Sequence, residues 1–188
     1  MEIGIAAGAN SSLLATSLAE IYAAANMAAQ IVLLPPQNTI QNSLEIDDNS
    51  CKKPFDILLL NADYPTSATG RTMMLSTDQG DNHQALRDFP CGHNVVSYGL
   101  NRKSCITASS LCDDQLVICL QRAIPCFGGH MAEPMEFAIR RAPGGPGEQL
   151  LLAVVATALC GGVPPEAISA FFEKAAPMPP DLHLQNEA

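Results

Sequence analysis

The residues best suited to chemistry lie near the start of the chain, in the short turn Gly8, Ala9, Asn10, Ser11 and Ser12. A brief apolar run precedes this turn, and a run with helical spacing follows it. Where a strand leads into a helix, the first helical amides lack partners and lie at the positive end of the helix dipole. The sequence therefore predicts weak binding of a nucleotide or another anion at these five residues.

The same turn lacks the side chains that phosphoryl transfer requires. A loop of the pattern G-x-x-x-x-G-K-[ST] uses its second glycine for close approach of the backbone, its lysine for the β- and γ-phosphates, and its hydroxyl for Mg²⁺. Gly8 is followed here by ANSSLLAT, which supplies neither the second glycine nor the lysine. We expect ATP or ADP to bind weakly, with Mg²⁺ only alongside a nucleotide, and no useful catalysis. A simpler local interpretation is that Asn10 or Ser11 caps the helix.

Other polar residues lie near the ends of predicted strands, where the ligand sites of α/β sheets open. Carboxylates beside an imidazole are able to hold a hard cation, although solvated loop residues are the simpler interpretation. The polar residues near strand ends are Asp63, Asp78, Asp81, His83 and His93. We keep Asp63, Asp78 and His83 from this group as secondary site candidates, together with Asn61, Arg140 and Arg141, and assign no metal.

Two more segments combine reactive or charged side chains. Arg140 and Arg141 precede the segment APGGPG, and arginine forks bind phosphate or carboxylate groups. The alternative is a plain loop between a strand and a long helix. Cys126 and His130 pair a nucleophile with a base, but the two glycines between them are more typical of a hairpin turn.

Composition excludes several classes of partner. The formal charge is −9 and only ten residues are Lys or Arg, which argues against binding to nucleic acid or to anionic membranes. The apolar residues 13–34 are interrupted by Glu20, so we expect no membrane span. The first residues lack a basic segment and a small-residue cleavage site, which leads us to expect a cytoplasmic protein. The seven cysteines include no C-x-x-C pair, and we expect most of them to be buried.

The apolar patterns predict an α/β domain over residues 1–176, followed by a loose tail over residues 177–188. Uninterrupted aliphatic runs at residues 31–34 and 55–60 are typical of strands buried on both faces. Helical spacing occurs at residues 11–25, 147–159 and 166–175, and a shorter helix is expected at 82–88. The resulting class is a three-layer sandwich with a mostly parallel sheet between helices. Three β segments at hairpin spacing, residues 104–109, 116–121 and 135–140, predict a small antiparallel sheet in addition.

Several segments together resemble the central, ATP-binding domain of the Mur ligases. IGIAAGANSSLLATSLAEIY is similar to the family's opening strand, its T-G-T-N-G-K-T turn and its helix, with Ser11, Ser12 and Leu13 in place of G-K-T. FDILLLNADYP places Asn61 at the asparagine of a T-N-I-like turn, and TMMLSTDQGDNHQAL places Asp78 at the first aspartate of V-L-N-x-D-D. NVVSYGLN and the segment from IRRAPGGPG to SAFFE resemble later parts of the same domain.

The resemblance implies ATP-dependent joining of a carboxylate to an amine, but the departures argue against that activity. The family holds Mg²⁺ with an acidic residue and a D-H-x-D-like histidine and positions it with a modified lysine. The segments that would carry these groups have no counterpart between residues 34 and 55 or between 61 and 72. We therefore expect a non-catalytic nucleotide-binding or regulatory relative that associates with itself or with a genuine Mur-type ligase. The alternatives are a ligase completed by a partner's cation or by Arg140 or Arg141, and a structural interaction module.

Overall fold

The computed structural model describes residues 1–6, 10–34, 53–60, 68–78 and 93–175. Within these residues, strands and a helix alternate at first, several strands then follow in succession, and two helices end the described chain. The helices are α1 (Ser11–Ala24), α2 (Glu148–Cys160) and α3 (Pro165–Ala175). The strands are β1 (Glu2–Ala6), β2 (Gln30–Leu33), β3 (Phe55–Leu60), β4 (Gly70–Ser76), β5 (Asn94–Tyr98), β6 (Ile106–Leu111), β7 (Gln115–Leu120), β8 (Ile124–Pro125), β9 (Met131–Ala132) and β10 (Met135–Arg140).

Eight of these strands form one mixed sheet in the order β10-β7-β6-β5-β4-β3-β1-β2. Each neighbouring pair in the part β6-β5-β4-β3-β1-β2 is parallel, and β7 pairs antiparallel with both β6 and β10. The short strands β8 and β9 form a separate antiparallel pair. The predicted α/β class with a mostly parallel sheet is confirmed. The three β segments predicted at hairpin spacing exist, but they extend the main sheet and do not form a sheet of their own.

The junction between β5 and β6 explains how these later strands join the sheet. Adjacent parallel strands ordinarily need a crossover of a dozen or more residues, yet only residues 99–105 separate these two. The short connection is sufficient because the strands overlap at a single pair, Tyr98 opposite Ile106. β6 therefore begins where β5 ends, and its hairpin with β7 continues past the end of β5.

Strand β3 is buried on both faces, as its aliphatic sequence predicts. Ile57 and Leu59 belong to the core cluster that contains the helices, whereas Leu58 and Leu60 belong to a second cluster on the opposite face. This alternation follows from the two-residue period of a strand. All three described helices pack on the first face, so the described residues contain the sheet and one helical side of the predicted three-layer sandwich.

Helix α2 lies at the centre of the first face. Every residue from 151 to 160 is buried, because α2 packs between strands β3 to β6 on one side and helices α1 and α3 on the other. A helix that is apolar all round is suited to this position. Tyr22 of α1 ties the helices together by donating its hydroxyl to the Thr157 carbonyl oxygen at 2.9 Å.

The sheet curves around α2. Helix α1 packs on β1 and β2, and α3 packs on β10 at the opposite edge of the sheet, yet the two helices also touch each other. On a flat sheet β1 and β10 would lie at least about 29 Å apart, at about 4.8 Å per strand, whereas packed helices are about 8–10 Å apart. Only a strongly curved sheet brings α1 and α3 together, and a groove lies where the two helices meet.

The described helices include none that is long and apolar enough to cross a membrane. The helix predicted at residues 82–88 and the tail predicted at residues 177–188 fall outside the described residues.

Candidate functional site

The predicted anion site lies between β1 and α1. Gly8 and Ala9 fall outside the described residues, whereas Asn10, Ser11 and Ser12 are described. Asn10 occupies the N-cap position, and its carbonyl oxygen accepts the first helical hydrogen bond, from the Leu14 amide at 3.0 Å. The Asn10 side chain makes no capping hydrogen bond. The cap interpretation is therefore correct for the position of Asn10 but not for its side chain.

The first turn of α1 presents open hydrogen-bond donors. The backbone amides of Ser11, Ser12 and Leu13 make no hydrogen bond to any residue of the described chain. Ser12 and Leu13 are exposed, and the first turn contains no acidic residue that would repel an anion. Open amides at a helix start favour an anionic ligand. Among the described Lys and Arg residues, none forms a hydrogen bond or an ion pair with residues 10–13.

The order of the strands places this turn at a change of direction in the sheet. From β1 the chain passes through α1 to β2 on one side, while β3, β4 and β5 follow in sequence on the other side. The carboxyl ends of β1 and β3, at Ala6 and Leu60, lie side by side at this point. Ligands of open α/β sheets bind at such a switch point. The start of α1 therefore lies where a ligand site is expected for this topology.

Of the secondary candidates near strand ends, Asp78 has a defined structural partner. Its Oδ2 accepts a hydrogen bond from the Leu100 amide at 2.7 Å, and its Oδ1 accepts one from the Asn101 amide at 3.3 Å. Burial raises the pKa of Tyr98, and the nearby charge of Asp78 raises it further. The carboxylate thus holds the turn that follows β5, which favours a structural role over metal binding.

The loss of this carboxylate is expected to lower stability. Asp78→Ala should reduce the free energy of unfolding by about 1–2 kcal/mol, because two amides lose a charged acceptor at a partly exposed position. Urea unfolding monitored by circular dichroism measures the change. Asp113→Ala is the matched control, since Asp113 is exposed and makes no hydrogen bond or ion pair with a described residue. Equal stability of the two variants would contradict the structural role of Asp78.

The remaining candidates of this group do not assemble into a described site. Asn61, Asp63, Asp81 and His83 fall outside the described residues. The Nδ1 atom of His93 forms a hydrogen bond with the Gly70 carbonyl oxygen at 2.6 Å, which connects His93 to the start of β4. Within the described ranges, no three His, Cys, Asp or Glu side chains are grouped closely enough to hold a metal ion.

Arg140 and Arg141 differ in their surroundings although they are adjacent. The Arg141 guanidinium forms an ion pair with Glu148 at 2.8 Å and donates to the Cys112 carbonyl oxygen at 3.3 Å. The backbone amide of Glu148 donates a hydrogen bond to the carboxylate of the same residue, which lowers the pKa of Glu148, and the charge of Arg141 lowers this pKa further. The Arg140 side chain is exposed and makes no hydrogen bond or ion pair with any described residue. Of the two arginines, Arg140 is therefore the one whose guanidinium has no partner in the described part of the chain.

Both arginines line a groove of about 170 Å³ between α1, α2, α3 and the loop after β10, which we call the interhelical groove. Helix α1 contributes Ser17 and Glu20, and α2 and α3 contribute an apolar floor that includes Leu151 and Phe172. No sequence motif predicts that Ser17, Glu20, Leu151 and Phe172 share a site. One residue in the sequence could have indicated this groove: Glu20, a single charged residue within an apolar run.

The interhelical groove is separate from the start of α1. It meets α1 at Ser17 and Glu20, which are about 9 and 13.5 Å along the helix axis from Ser11, at 1.5 Å per residue. Arg140 and Arg141 therefore lie beside the second half of α1. This position does not favour the alternative in which they supply the missing cation of a phosphate loop.

The segment from Cys126 to His130 forms the hairpin turn that its glycines predict. Gly128 and Gly129 have φ values of 92° and 85°, and they connect β8 to β9. Burial raises the pKa of the Cys126 thiol, which disfavours the thiolate that a nucleophile requires. Of the five described cysteines only Cys126 and Cys160 are buried, fewer than expected. Cys119, for example, alternates with buried neighbours along β7 and is only half-buried.

Neither a protein-family model nor a curated protein sequence matches the chain. The resemblance to the Mur ligase central domain therefore remains a prediction that depends on the quoted segments.

Proposed function

We propose that the protein is a Mur-ligase-like domain without ligase activity that binds a nucleotide or another anion at Gly8, Ala9, Asn10, Ser11 and Ser12. In this proposal the bound anion serves binding or regulation, and the partner is a second copy of the chain or a genuine Mur-type ligase. The proposal retains the scaffold implied by the sequence resemblance and assigns no catalytic residue.

The observation that supports the proposal most directly is the open first turn of α1. Three consecutive amides have no acceptor in the part of the chain that the structure describes, and the turn lies at the switch point between β1 and β3. Such a turn attracts an anion through its amides and its helix dipole. Transfer of a phosphoryl group needs in addition a cation on the terminal phosphates. Ser12 stands where that lysine would be.

Isothermal titration with ATP, ADP and UDP-sugars, with and without Mg²⁺, tests ligand binding. We expect a weak signal, with a dissociation constant on the order of 0.1–1 mM, for at least one phosphate ligand. We also expect little dependence on Mg²⁺, because the hydroxyl that would contact the metal is replaced by Leu13. The absence of heat and of any shift in melting temperature with all ligands would remove the binding half of the proposal.

A second assay tests the loss of catalysis separately. The protein is incubated with ATP, Mg²⁺ and amino-acid mixtures, and phosphate release is measured against a buffer blank. We expect no release above the blank. Release that depends on an added amino acid would contradict the proposal and support the ligase alternative.

A further inference from the structure

Among the described residues, the interhelical groove combines one unpaired positive side chain with one unpaired negative side chain above an apolar floor. Arg140 and Glu20 both line it, but they form no ion pair with each other and none with another described residue. Arg141 is already neutralised by Glu148. A free guanidinium beside apolar surface is the arrangement that binds a planar anion such as a carboxylate.

The floor of the groove suits a small hydrocarbon group. Leu151 and Phe172 are at least nine-tenths buried, and Val154 and Phe171 continue the apolar surface between α2 and α3. The groove volume of about 170 Å³ compares with the cavity of about 150 Å³ that is known to hold benzene. A body of roughly four to six carbon atoms therefore fits.

Glu20 restricts the charge of the ligand. Arg141 is paired, so the unpaired side chains that line the groove within the described ranges, Arg140 and Glu20, carry no net charge together. A ligand with one negative charge gains the attraction of Arg140 and meets limited repulsion from Glu20. A dicarboxylate pairs one carboxylate with Arg140, and its second carboxylate then meets Glu20 with no other unpaired guanidinium among the described groove residues, so Glu20 selects against it.

We propose that the interhelical groove is a binding site for a small apolar monocarboxylate. The carboxylate is held by the Arg140 guanidinium, and the hydrocarbon body lies on the floor formed by α2 and α3. This inference goes beyond the proposed function, because the groove lies away from the start of α1 and takes a different class of ligand.

Titration with three compounds that share an isopropyl group tests the proposal. The compounds are 3-methylbutanoate, its amide, and 2-isopropylmalonate, which carry one, no and two negative charges. We expect 3-methylbutanoate to bind with a dissociation constant of about 1 mM, as is reasonable for so few atoms. The amide and the malonate should each bind at least about fivefold more weakly. Failure of 3-methylbutanoate to bind at roughly 10 mM, or equal binding of all three compounds, would overturn the proposal.

Two conservative variants test which side chain attracts the carboxylate and which one repels a second charge. Arg140→Gln should weaken the binding of 3-methylbutanoate at least about fivefold. Glu20→Gln should increase the affinity for 2-isopropylmalonate, relative to that for 3-methylbutanoate, by a similar factor. Arg122→Gln and Glu133→Gln are matched controls, since both residues are exposed and neither lines the groove. Melting temperatures show whether each variant is folded. A folded Arg140→Gln variant that binds as well as the wild type would contradict the assignment.

Nucleotide titration at the start of α1 gives an independent result. Arg140→Gln should leave any ATP binding unchanged, because the groove does not include residues 10–13. Loss of ATP binding in this variant would show that the two sites are one and would overturn the inference.

Discussion

Gly161→Ala is expected to destabilise the protein by about 2–4 kcal/mol, although the backbone itself would accept alanine. Gly161 follows α2 with φ −75°, an ordinary helical value. At an unobstructed position with this conformation, alanine stabilises a protein by about 0.4–1 kcal/mol. The added Cβ would instead overlap the Tyr22 hydroxyl oxygen and lie 2.7 Å from its Cζ.

Tyr22 has little freedom to move away. Its side chain is 1% exposed, and its hydroxyl is bonded to the Thr157 carbonyl oxygen. Overpacking of a core costs about 1–3 kcal/mol, and the displaced hydrogen bond adds about 1 kcal/mol. For a chain of this size we expect the melting temperature to fall by about 5–15 °C, measured by differential scanning calorimetry.

A double-mutant cycle separates this clash from other effects. Tyr22→Leu removes the hydroxyl and the ring, so Gly161→Ala should cost much less in that background than in the wild type. Gly147→Ala is a second control, because no atom of the described residues lies within 4 Å of its added Cβ. The clash explanation fails if Gly161→Ala costs the same in both backgrounds.

Restoring the side chains of a phosphate loop is expected to strengthen ATP binding by at least about tenfold. The triple variant Ser11→Gly, Ser12→Lys and Leu13→Thr provides the close approach, the cation and the hydroxyl that the sequence lacks. A charged hydrogen bond is worth about 1.5–3 kcal/mol, and a factor of ten corresponds to about 1.4 kcal/mol. The threonine hydroxyl should also make the affinity depend on Mg²⁺. Isothermal titration measures both effects.

A matched variant tests whether the position of the new charge matters. Thr16→Lys adds the same charge to an exposed position on α1, beyond its first turn. It should change the affinity for ATP by less than about twofold, because position 16 lies about 6 Å farther along the helix axis than Ser12 and a fully hydrated side-chain charge contributes little. If Thr16→Lys and the triple variant increase affinity equally, the start of α1 is not the binding site.

The two proposed sites differ in the evidence that supports them. The site at the start of α1 depends on its sequence pattern, on the open amides and on its place in the sheet. The interhelical groove depends on residues that α1, α2, α3 and β10 bring together, and no sequence motif identifies it. The experiments above can therefore remove one site without affecting the other.

Local patterns in the sequence determined most of the elements. The aliphatic run at residues 55–60 gives a strand with two buried faces, and the spacing at residues 11–25 gives a helix that begins at Ser11 and ends at Ala24. The Gly pair after Phe127 gives the hairpin between β8 and β9. These outcomes follow from side-chain period and backbone freedom, which act over a few residues.

Only the tertiary structure decided which distant residues meet. The curvature of the sheet brings Glu20 and Arg140 to one groove across more than a hundred residues of chain. The Asp78 carboxylate is bound by amides beyond the next strand, and Gly161 lies against a tyrosine from the first helix. Such contacts depend on how a sheet bends around a buried helix, and the spacing of residues within one segment carries no information about that curvature.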